Sequence, residues 1–345
     1  LEASDFNDDT LGRALDELFS SGITEIFAVL AREAVEVYDL EVAFCHTDTS
    51  SFSLSGAYES KVAQRDVEKW GAVKITHGYS KDKRPDLKQV VVSLITSQKG
   101  RIPLWLEALD GNSSDKHSFP VTVDSYCQQL AEGEMPWFVM DSAAYTKDNI
   151  NNWGTKKKWI TRVPETSKAA QASIQSIATH EMAELIEGYN VHPIESHYGG
   201  IAQRWLLIHS EKAYHKELKQ LQRRVAKKTE QLASEVAQLG RTEFACEEDA
   251  HTAVATLRKK LKWHTIEATY QPIKKYAQPG RPAKGVKPSI VGWQIQAICS
   301  PQPQLIEAEK QWLGRFILAT NELDTDRLPD KKVLRGYKAQ GTTVE

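Results

Sequence analysis

Two aspartates that follow apolar runs are the residues of this sequence best suited to chemistry. Asp48 lies within 41–54, where Val42 and Phe44 alternate with smaller residues as in a half-buried β-strand. Asp141 follows a second apolar run and precedes small residues. Carboxylates at two strand ends suggest a metal site, because hard cations take oxygen ligands. Either aspartate alone is more commonly a turn residue or a helix cap, and that alternative stays open.

His46 stands two residues before Asp48. We expect it to point to the opposite face of the strand, as a core residue rather than a metal ligand.

The composition describes an ordinary globular protein. Apolar residues make up 41% and charged residues 26% of 345 residues, which excludes a disordered or fibrous chain and predicts a real core with two domains. No apolar run reaches the roughly 20 residues of a membrane span, and no signal peptide is visible. We therefore expect a cytoplasmic protein without membrane contact. The four cysteines lack metal or disulfide spacing. The chain begins without methionine, so we expect a fragment of a longer protein.

Charge is distributed unevenly along the chain. Residues 211–290 hold 17 Lys/Arg and 9 Asp/Glu, a local charge of +8, so the remainder carries −10 of the total of −2. A basic segment of this kind can bind phosphates. It can equally be the solvated face of a helix, and charge alone does not separate the two.

The order of predicted elements indicates an α/β fold. Two helices are predicted in 7–38, strands in 41–54, 89–96 and 102–109, a helix in 115–131, the strand that ends at Asp141, a short helix, and a strand in 158–163. This is the order of the ribonuclease H-like fold. In that fold the first and fourth strands are neighbours, so the fold analogy brings Asp48 and Asp141 together.

The pattern changes after residue 164. We expect strands in 191–209, a long helix in 211–239 with an apolar seam, and a second helix that packs back on it as a helical hairpin. Further strands in 265–273 and 290–299 flank a basic loop. The predicted parts are an N-terminal helical segment 1–40, a catalytic domain 41–164, an insertion 165–310 with a basic helical arm, and the second part of the catalytic domain 311–345.

Several motifs resemble the DDE transposases of bacterial insertion sequences, in the group with a large insertion before the last acidic residue. The motifs are Thr47-Asp-Thr-Ser-Ser-Phe52, Gly78-Tyr-Ser-Lys-Asp-Lys-Arg-Pro-Asp-Leu-Lys-Gln89, Asp110-Gly-Asn112, Phe138-Val-Met-Asp-Ser-Ala143, Ile317-Leu-Ala-Thr-Asn321 and Tyr337-Lys-Ala-Gln-Gly-Thr-Thr-Val-Glu345. The stretch from Gly78 to Gln89 is the most specific. The resemblance covers nearly the whole chain and implies a ribonuclease H-like, retroviral-integrase-like mixed sheet flanked by helices.

The resemblance also implies an active site and its partners. Asp48, Asp141 and Glu345 would be catalytic carboxylates that bind two Mg²⁺ ions, for which Mn²⁺ can substitute. The implied activity is cut-and-paste transposition, by hydrolysis and then strand transfer, on double-stranded DNA at the transposon ends and target. A homodimer is expected in the synaptic complex. Candidate DNA contacts are Tyr337, which would hold a phosphate, and Lys338, Lys81, Arg84, Lys156 and Lys157.

Two departures from the family pattern leave an alternative open. Gln340 stands where many relatives have arginine, and Glu345 lies one place further on and is the last residue of the sequence. A catalytically incomplete transposase fragment that retains only DNA binding is therefore the alternative function. A phosphatase of the haloacid-dehalogenase type is disfavoured because Asp-x-Asp would need an acid at Ser50. A glycosidase with two carboxylates is also conceivable, but scattered tryptophans are the only sign of a sugar-binding site.

Overall fold

The computed structural model describes residues 6–58, 73–80, 82–130, 135–277 and 287–343. The chain divides into two compact units. The sheet unit comprises Leu1–Ile208 and Phe316–Glu345, and the inserted unit comprises His209–Arg315. The chain thus leaves the sheet unit once and returns to it once.

Twelve strands form two sheets in the described residues. They are β1 (Phe44–Leu54), β2 (Lys88–Ser97), β3 (Pro103–Leu109), β4 (Trp137–Met140), β5 (Lys158–Arg162), β6 (Ala183–Ile186), β7 (Tyr189–Tyr198), β8 (Ile201–Ser210), β9 (Glu243–Phe244), β10 (His264–Lys275), β11 (Ser289–Pro301) and β12 (Arg315–Thr320). The larger sheet has nine strands in the order β3-β2-β1-β4-β5-β12-β8-β7-β6. The smaller has three, in the order β10-β11-β9.

The larger sheet is mixed. β1 pairs antiparallel with β2, and β2 with β3. β4 pairs parallel with β1, and β5 parallel with β4, whereas β12 is antiparallel to β5. The predicted adjacency of the strands that carry Asp48 and Asp141 is therefore confirmed.

The described residues form nine α-helices, distributed over both units. They are α1 (Asp8–Ser20), α2 (Ile23–Val37), α3 (Asp115–Cys127), α4 (Lys147–Trp153), α5 (Lys168–Ser176), α6 (Glu211–Arg241), α7 (Glu247–Arg258), α8 (Pro303–Lys310) and α9 (Asp330–Thr343). Phe119 of α3 and Ile150 of α4 share one buried cluster with Phe138. Leu334 of α9 shares another with Val139. β4 is apolar throughout because its alternate side chains enter cores on opposite faces.

Membrane-spanning helices are not found in the described ranges, because no helix there is both long and apolar enough.

The N-terminal segment forms the two predicted helices and contacts the sheet. The Asn7 side chain caps α1 by accepting a hydrogen bond from the Thr10 backbone N–H at 2.9 Å. Gly22 separates α1 from α2 with a φ of 81°, which a residue with a side chain rarely adopts. α2 packs against β3, and its Ala31 is buried.

The inserted unit has its own core. Leu232 of α6 and Val254 of α7 are fully buried in one cluster with Ile266 and Ile295 of the smaller sheet. The two helices were predicted to pack on each other as a hairpin arm. In the structure their apolar faces also pack against the smaller sheet. The insertion was also predicted to begin at residue 165, but 165–208 belong to the sheet unit because β6, β7 and β8 extend the large sheet.

Truncation of Leu232 tests the independence of the inserted unit. Leu232→Ala should lower the free energy of unfolding of this unit by about 2–5 kcal/mol, because it leaves a cavity in a fully buried cluster. Hydrogen exchange followed by mass spectrometry should show faster exchange in peptides from 209–315. Ile298→Val, at a side chain that is 74% exposed, is the control. An equal gain in exchange across β1 to β5 would contradict separate cores.

Candidate metal and DNA site

The pairing register of β1 with β4 aligns the two aspartates. Phe44 lies opposite Trp137, and His46 opposite Val139. Two further residues along each chain bring Asp48 opposite Asp141, whose backbone is also extended. Strands in a sheet are about 4.8 Å apart, and aligned residues on parallel neighbours point to one face. Both carboxylates are therefore presented on the same face, where β4 ends.

Each aspartate also has a local backbone role. One Asp48 carboxylate oxygen accepts a hydrogen bond from the Thr49 N–H at 2.7 Å. One Asp141 oxygen accepts from the Ala143 N–H at 2.8 Å and so caps a short 3-10 helix, Ser142–Ala144. The turn and cap roles open to a single aspartate are thus observed. They are compatible with metal binding, because an ionised carboxylate offers about four lone-pair sites.

A second hydrogen bond fixes the turn at Asp141. The Thr161 hydroxyl of β5 donates to the Asp141 carbonyl oxygen at 2.7 Å. Because Thr161 is fully buried, this bond holds the end of β4 against β5. Asp141 therefore stands on a rigid element.

Helix α9 crosses the same face of the sheet. Its first residue, Asp330, forms an ion pair with the buried Arg204 of β8 at 2.9 Å. Further along, a side chain at Gly336 would come within 3.1 Å of the Phe44 ring, so glycine permits the close approach of α9 to β1. Val333 and Leu334 are fully buried in the shared core. The helix is thereby anchored next to the strands that carry the aspartates.

Tyr337 of α9 and Arg162 of β5 meet beside Asp141. Burial raises the pKa of Tyr337, the Arg162 charge and its hydrogen bond to the phenol act in the opposite direction, and the Asp141 charge raises it further. The Arg162 guanidinium lies 5.1 Å from the centre of the Phe316 ring and forms an ion pair with Glu165. Continuation of the β4–β5 register places Arg162 next to Asp141. One edge therefore presents two carboxylates, a guanidinium and a phenol.

Arg162 was not among the site residues that the sequence predicted. The available signal was its place as the charged residue that ends an apolar strand, the same pattern that identified Asp141 after β4. What the sequence did not contain was the pairing of those strands.

His46 is buried in the core as predicted. It was expected on the face of β1 opposite to Asp48, and that expectation was wrong. Residues two apart in a strand share a face, so His46 and Asp48 point to the same side of β1. His46 is 1% exposed, and in the described part of the chain neither ring nitrogen has a hydrogen-bond partner. Burial lowers the pKa of His46 from 6.5 to about 4, so the ring is neutral at pH 7.

The lysines before β5 lie away from the aspartates. Lys156 and Lys157 precede the start of β5, which pairs with Trp137 at the start of β4, whereas Asp141 follows the end of β4. Lys157 also forms a 3.1 Å ion pair with Asp124, and its side chain is only 17% exposed. The structure therefore does not bring these two predicted DNA contacts to the carboxylate edge.

The other predicted DNA contacts are dispersed. Arg84 is exposed and paired with Asp86 at 2.7 Å. Lys338 is exposed next to Tyr337, and its ammonium lies 4.2 Å from the centre of the Tyr189 ring. Lys81 and Glu345 lie outside the described residues. Of the candidates, Tyr337 and Lys338 share the helix that approaches the aspartates.

The donor set fits a hard divalent cation. Two carboxylates at one level of a sheet are the oxygen ligands that Mg²⁺ prefers, usually with substrate oxygens and water completing the shell. Among the described residues, no group of three His, Cys, Asp or Glu side chains is placed to hold a metal. Of the three predicted ligands, Asp48 and Asp141 lie in the described part of the chain.

Comparison with known proteins does not identify a family. Neither a family model nor a curated protein sequence matches the chain. Among solved structures, a piggyBac transposase synaptic complex with hairpin DNA, studied by cryo-EM, is similar over 59% of this chain, with 10% identity and a TM-score of 0.31. The chain spans 38% of the length of that protein. A likeness at this score carries no argument about fold or function.

The buried His46 should make the folded protein less stable in acid. Its folded-state pKa is lowered, so the unfolded chain takes up the proton first, and stability is lost as pH falls from 6.5 towards 4. His46→Phe should remove this loss, which reaches up to about 3 kcal/mol. Chemical denaturation at neutral and acidic pH measures the difference. His180→Phe, at an exposed histidine, should keep the wild-type pH dependence. An unchanged acid loss in the His46 variant would contradict the assignment.

Proposed function

We propose that this chain is the catalytic region of a DDE-type DNA transposase of a bacterial insertion sequence. The proposal is carried by the alignment of Asp48 with Asp141, which follows when the β1–β4 register is continued by two residues, and by helix α9, which packs on both strands. The sequence resemblance selects the same two aspartates and adds Glu345 as the third acid. The activity would be cleavage at transposon ends followed by joining of those ends to target DNA.

The strand order supports a ribonuclease H-like core. The run β3-β2-β1-β4-β5 has three antiparallel strands followed by two that are parallel to the first. Helices cover both faces, and α9 brings the final part of the chain back to β1 and β4. This is the arrangement that the element order in the sequence predicts for that fold. The inserted unit between β8 and β12 corresponds to the expected insertion before the last acid.

Metal ions would be held by Asp48 and Asp141, with Glu345 as the third proposed ligand. When bound, two Mg²⁺ ions activate an attacking oxygen and stabilise a leaving oxygen in an in-line phosphoryl displacement. The chain itself contributes position. The Thr161 bond to the Asp141 backbone and the packing of Gly336 on Phe44 hold strands and helix in one geometry.

Arg162 and Tyr337 would bind a DNA phosphate next to the carboxylates. A guanidinium is always charged and offers forked donors that match phosphate oxygens. The Phe316 ring and the bond to Tyr337 restrict its movement. Arg162 therefore supplies a guanidinium close to Asp141, although α9 carries Gln340 in place of the family arginine.

The proposal extends to the inserted unit, the oligomeric state and the location of the protein, for which we expect the cytoplasm. Phosphate binding by the inserted unit would use the surplus of basic residues in 211–290. Synapsis of two DNA ends would require two active sites, so a homodimer is expected in the DNA complex. DNA binding without metal-dependent cleavage would instead support a catalytically incomplete fragment.

Neutral substitutes for the two aspartates test the reaction. Asp48→Asn or Asp141→Asn should reduce Mg²⁺-dependent DNA strand cleavage by at least about 100-fold, because a metal contributes several kcal/mol of charge stabilisation. The assay follows nicking of supercoiled DNA with Mg²⁺, Mn²⁺ or chelator. Asp16→Asn, on the exposed face of α1, is the matched control. Full cleavage by both site variants would exclude the proposed metal site.

Arg162 can be tested separately from the metal ligands. Arg162→Ala should slow cleavage about 10- to 100-fold, because it removes a charge-assisted hydrogen bond. Arg162→Lys should restore the affinity for DNA more fully than the cleavage rate. Arg13→Ala, on exposed α1, controls for the loss of one positive charge. Thermal unfolding checks that the loss of contacts to Tyr337 and Glu165 has not unfolded the protein. A lysine variant with wild-type rate would contradict a forked phosphate contact.

A further inference from the structure

A cavity of about 380 Å³ lies beside the first residues of β1 and β4, at the opposite end of these strands from the two aspartates. Phe44 and Trp137 line it, and their rings are stacked with centres 5.6 Å apart. Asp48 and Asp141 each follow four residues later in the chain, so the rings and the carboxylates share one face of the sheet. Four residues along a strand span about 13 Å. The cavity is therefore distinct from the carboxylate site.

Basic side chains from three segments of the chain meet in this cavity. The lining includes four cations and one carboxylate, a net charge of +3: Lys99 after β2, Arg327 in the loop before α9, Lys332 and Arg335 on α9, and Glu41 before β1. The chain outside 211–290 carries −10, so a basic composition does not explain this cluster. The fold has gathered these cations from distant positions.

The two cations of α9 are the least neutralised. In the described part of the chain neither Lys332 nor Arg335 has an ion-pair or hydrogen-bond partner for its side chain, and both are exposed. The indole N–H of Trp137 is buried and also has no partner among the described residues. A buried donor without an acceptor is uncommon in folded proteins. The cavity thus lacks acceptors rather than donors.

The acids near the cavity form only long ion pairs with its cations. Glu41 lies 3.8 Å from Lys99, and both side chains are largely exposed. Arg327 lies 3.9 Å from Glu322 and 4.0 Å from Asp324. Exposed pairs of this kind contribute about 0–1 kcal/mol each. An anion with better geometry can therefore compete for these cations.

The chemistry of the lining fits phosphate. The Trp137 ring already contacts Phe44 and has the Lys158 ammonium 4.7 Å from its centre, so we assign it no role in stacking on a base. Guanidinium groups offer forked donors that match phosphate oxygens. A net charge of +3 exceeds the single charge of a carboxylate ligand. It suits linked phosphates, or consecutive phosphates of a DNA strand.

We propose that this cavity is a phosphate-binding site in which Lys332 and Arg335 make the principal contacts. Two sources have this chemistry: the backbone of DNA, and a free diphosphate or nucleotide. DNA as the source rests on the proposed function, whereas a free diphosphate does not. At about 13 Å from the carboxylates, the bound phosphate lies outside the proposed reaction. The site therefore concerns binding and not catalysis.

Titration with inorganic pyrophosphate tests the site. Isothermal titration calorimetry with the full chain, in chelator and without Mg²⁺, measures the affinity independently of the proposed metal site. The cavity variant, Lys332→Gln with Arg335→Gln, should bind at least about tenfold more weakly, because two charge-assisted contacts are lost. The control variant, Lys168→Gln with Lys331→Gln, removes the same charge at exposed positions outside the cavity and should bind like wild type. Thermal unfolding checks that both variants are folded.

Fluorescence anisotropy with a blunt DNA duplex distinguishes the two sources. If DNA occupies the site, the cavity variant should bind the duplex more weakly, and pyrophosphate should compete with the duplex for the wild-type protein. The slope of log affinity against log salt should then fall in magnitude by about 2, because two phosphate contacts are lost. Unchanged DNA binding by a cavity variant that has lost pyrophosphate binding would identify a free diphosphate or nucleotide as the source.

Equal pyrophosphate affinity of the wild type and the cavity variant would overturn the inference, because the cations would then be solvated charges without a site. An equal loss in the control variant would overturn it as well. The proposed function fails by a different result. If the wild type does not cleave DNA with Mg²⁺ while the cavity variant loses pyrophosphate binding, the function is rejected and the site is kept. Asp48→Asn should keep the wild-type affinity for pyrophosphate.

Discussion

The parallel pairing of β1 with β4 is the constraint on which the candidate site depends. These strands are separated by more than 80 residues in sequence, and β2, β3 and α3 lie between them. Their register pairs His46 with Val139, and its continuation by two residues aligns Asp48 with Asp141. A slip by one residue in either strand would send one carboxylate to the opposite face, because side chains alternate with a period of two. The apolar residues of β4 resist such a slip, since Phe138 and Val139 are fully buried in different cores.

The sheet unit has two cores, one on each face of the large sheet. The α3 and α4 face is a continuous aromatic and aliphatic core, with Trp159 and Phe138 fully buried. The α9 face combines apolar packing with chemistry: Val139 and Ile160 support α9, and the next residues towards the edge are Asp141 and Arg162. Polar groups thus begin where the strands end. Asp141 and Arg162 are partly exposed at this edge, while the backbone behind them remains packed.

The Arg162 guanidinium supplies a positive charge beside the acids. Arg162 is bounded by Phe316, Tyr337 and Glu165, so its position is set by three different elements of the chain. A carboxylate pair alone repels phosphate, and a neighbouring guanidinium offsets that repulsion.

The sequence by itself determined the local elements and the acids. The apolar run before Asp141 and the seam of α6 are patterns that short segments express without their neighbours. The predicted alternation of Val42 with Phe44 was wrong, because Val42 precedes β1 and packs on the other core. The sequence did not determine that Arg162 lies beside Asp141 or that Lys157 is engaged by Asp124 away from the site. Those facts depend on strand order and register across more than 20 residues. Such pairings follow from burial over the whole sheet, which only the tertiary structure decides.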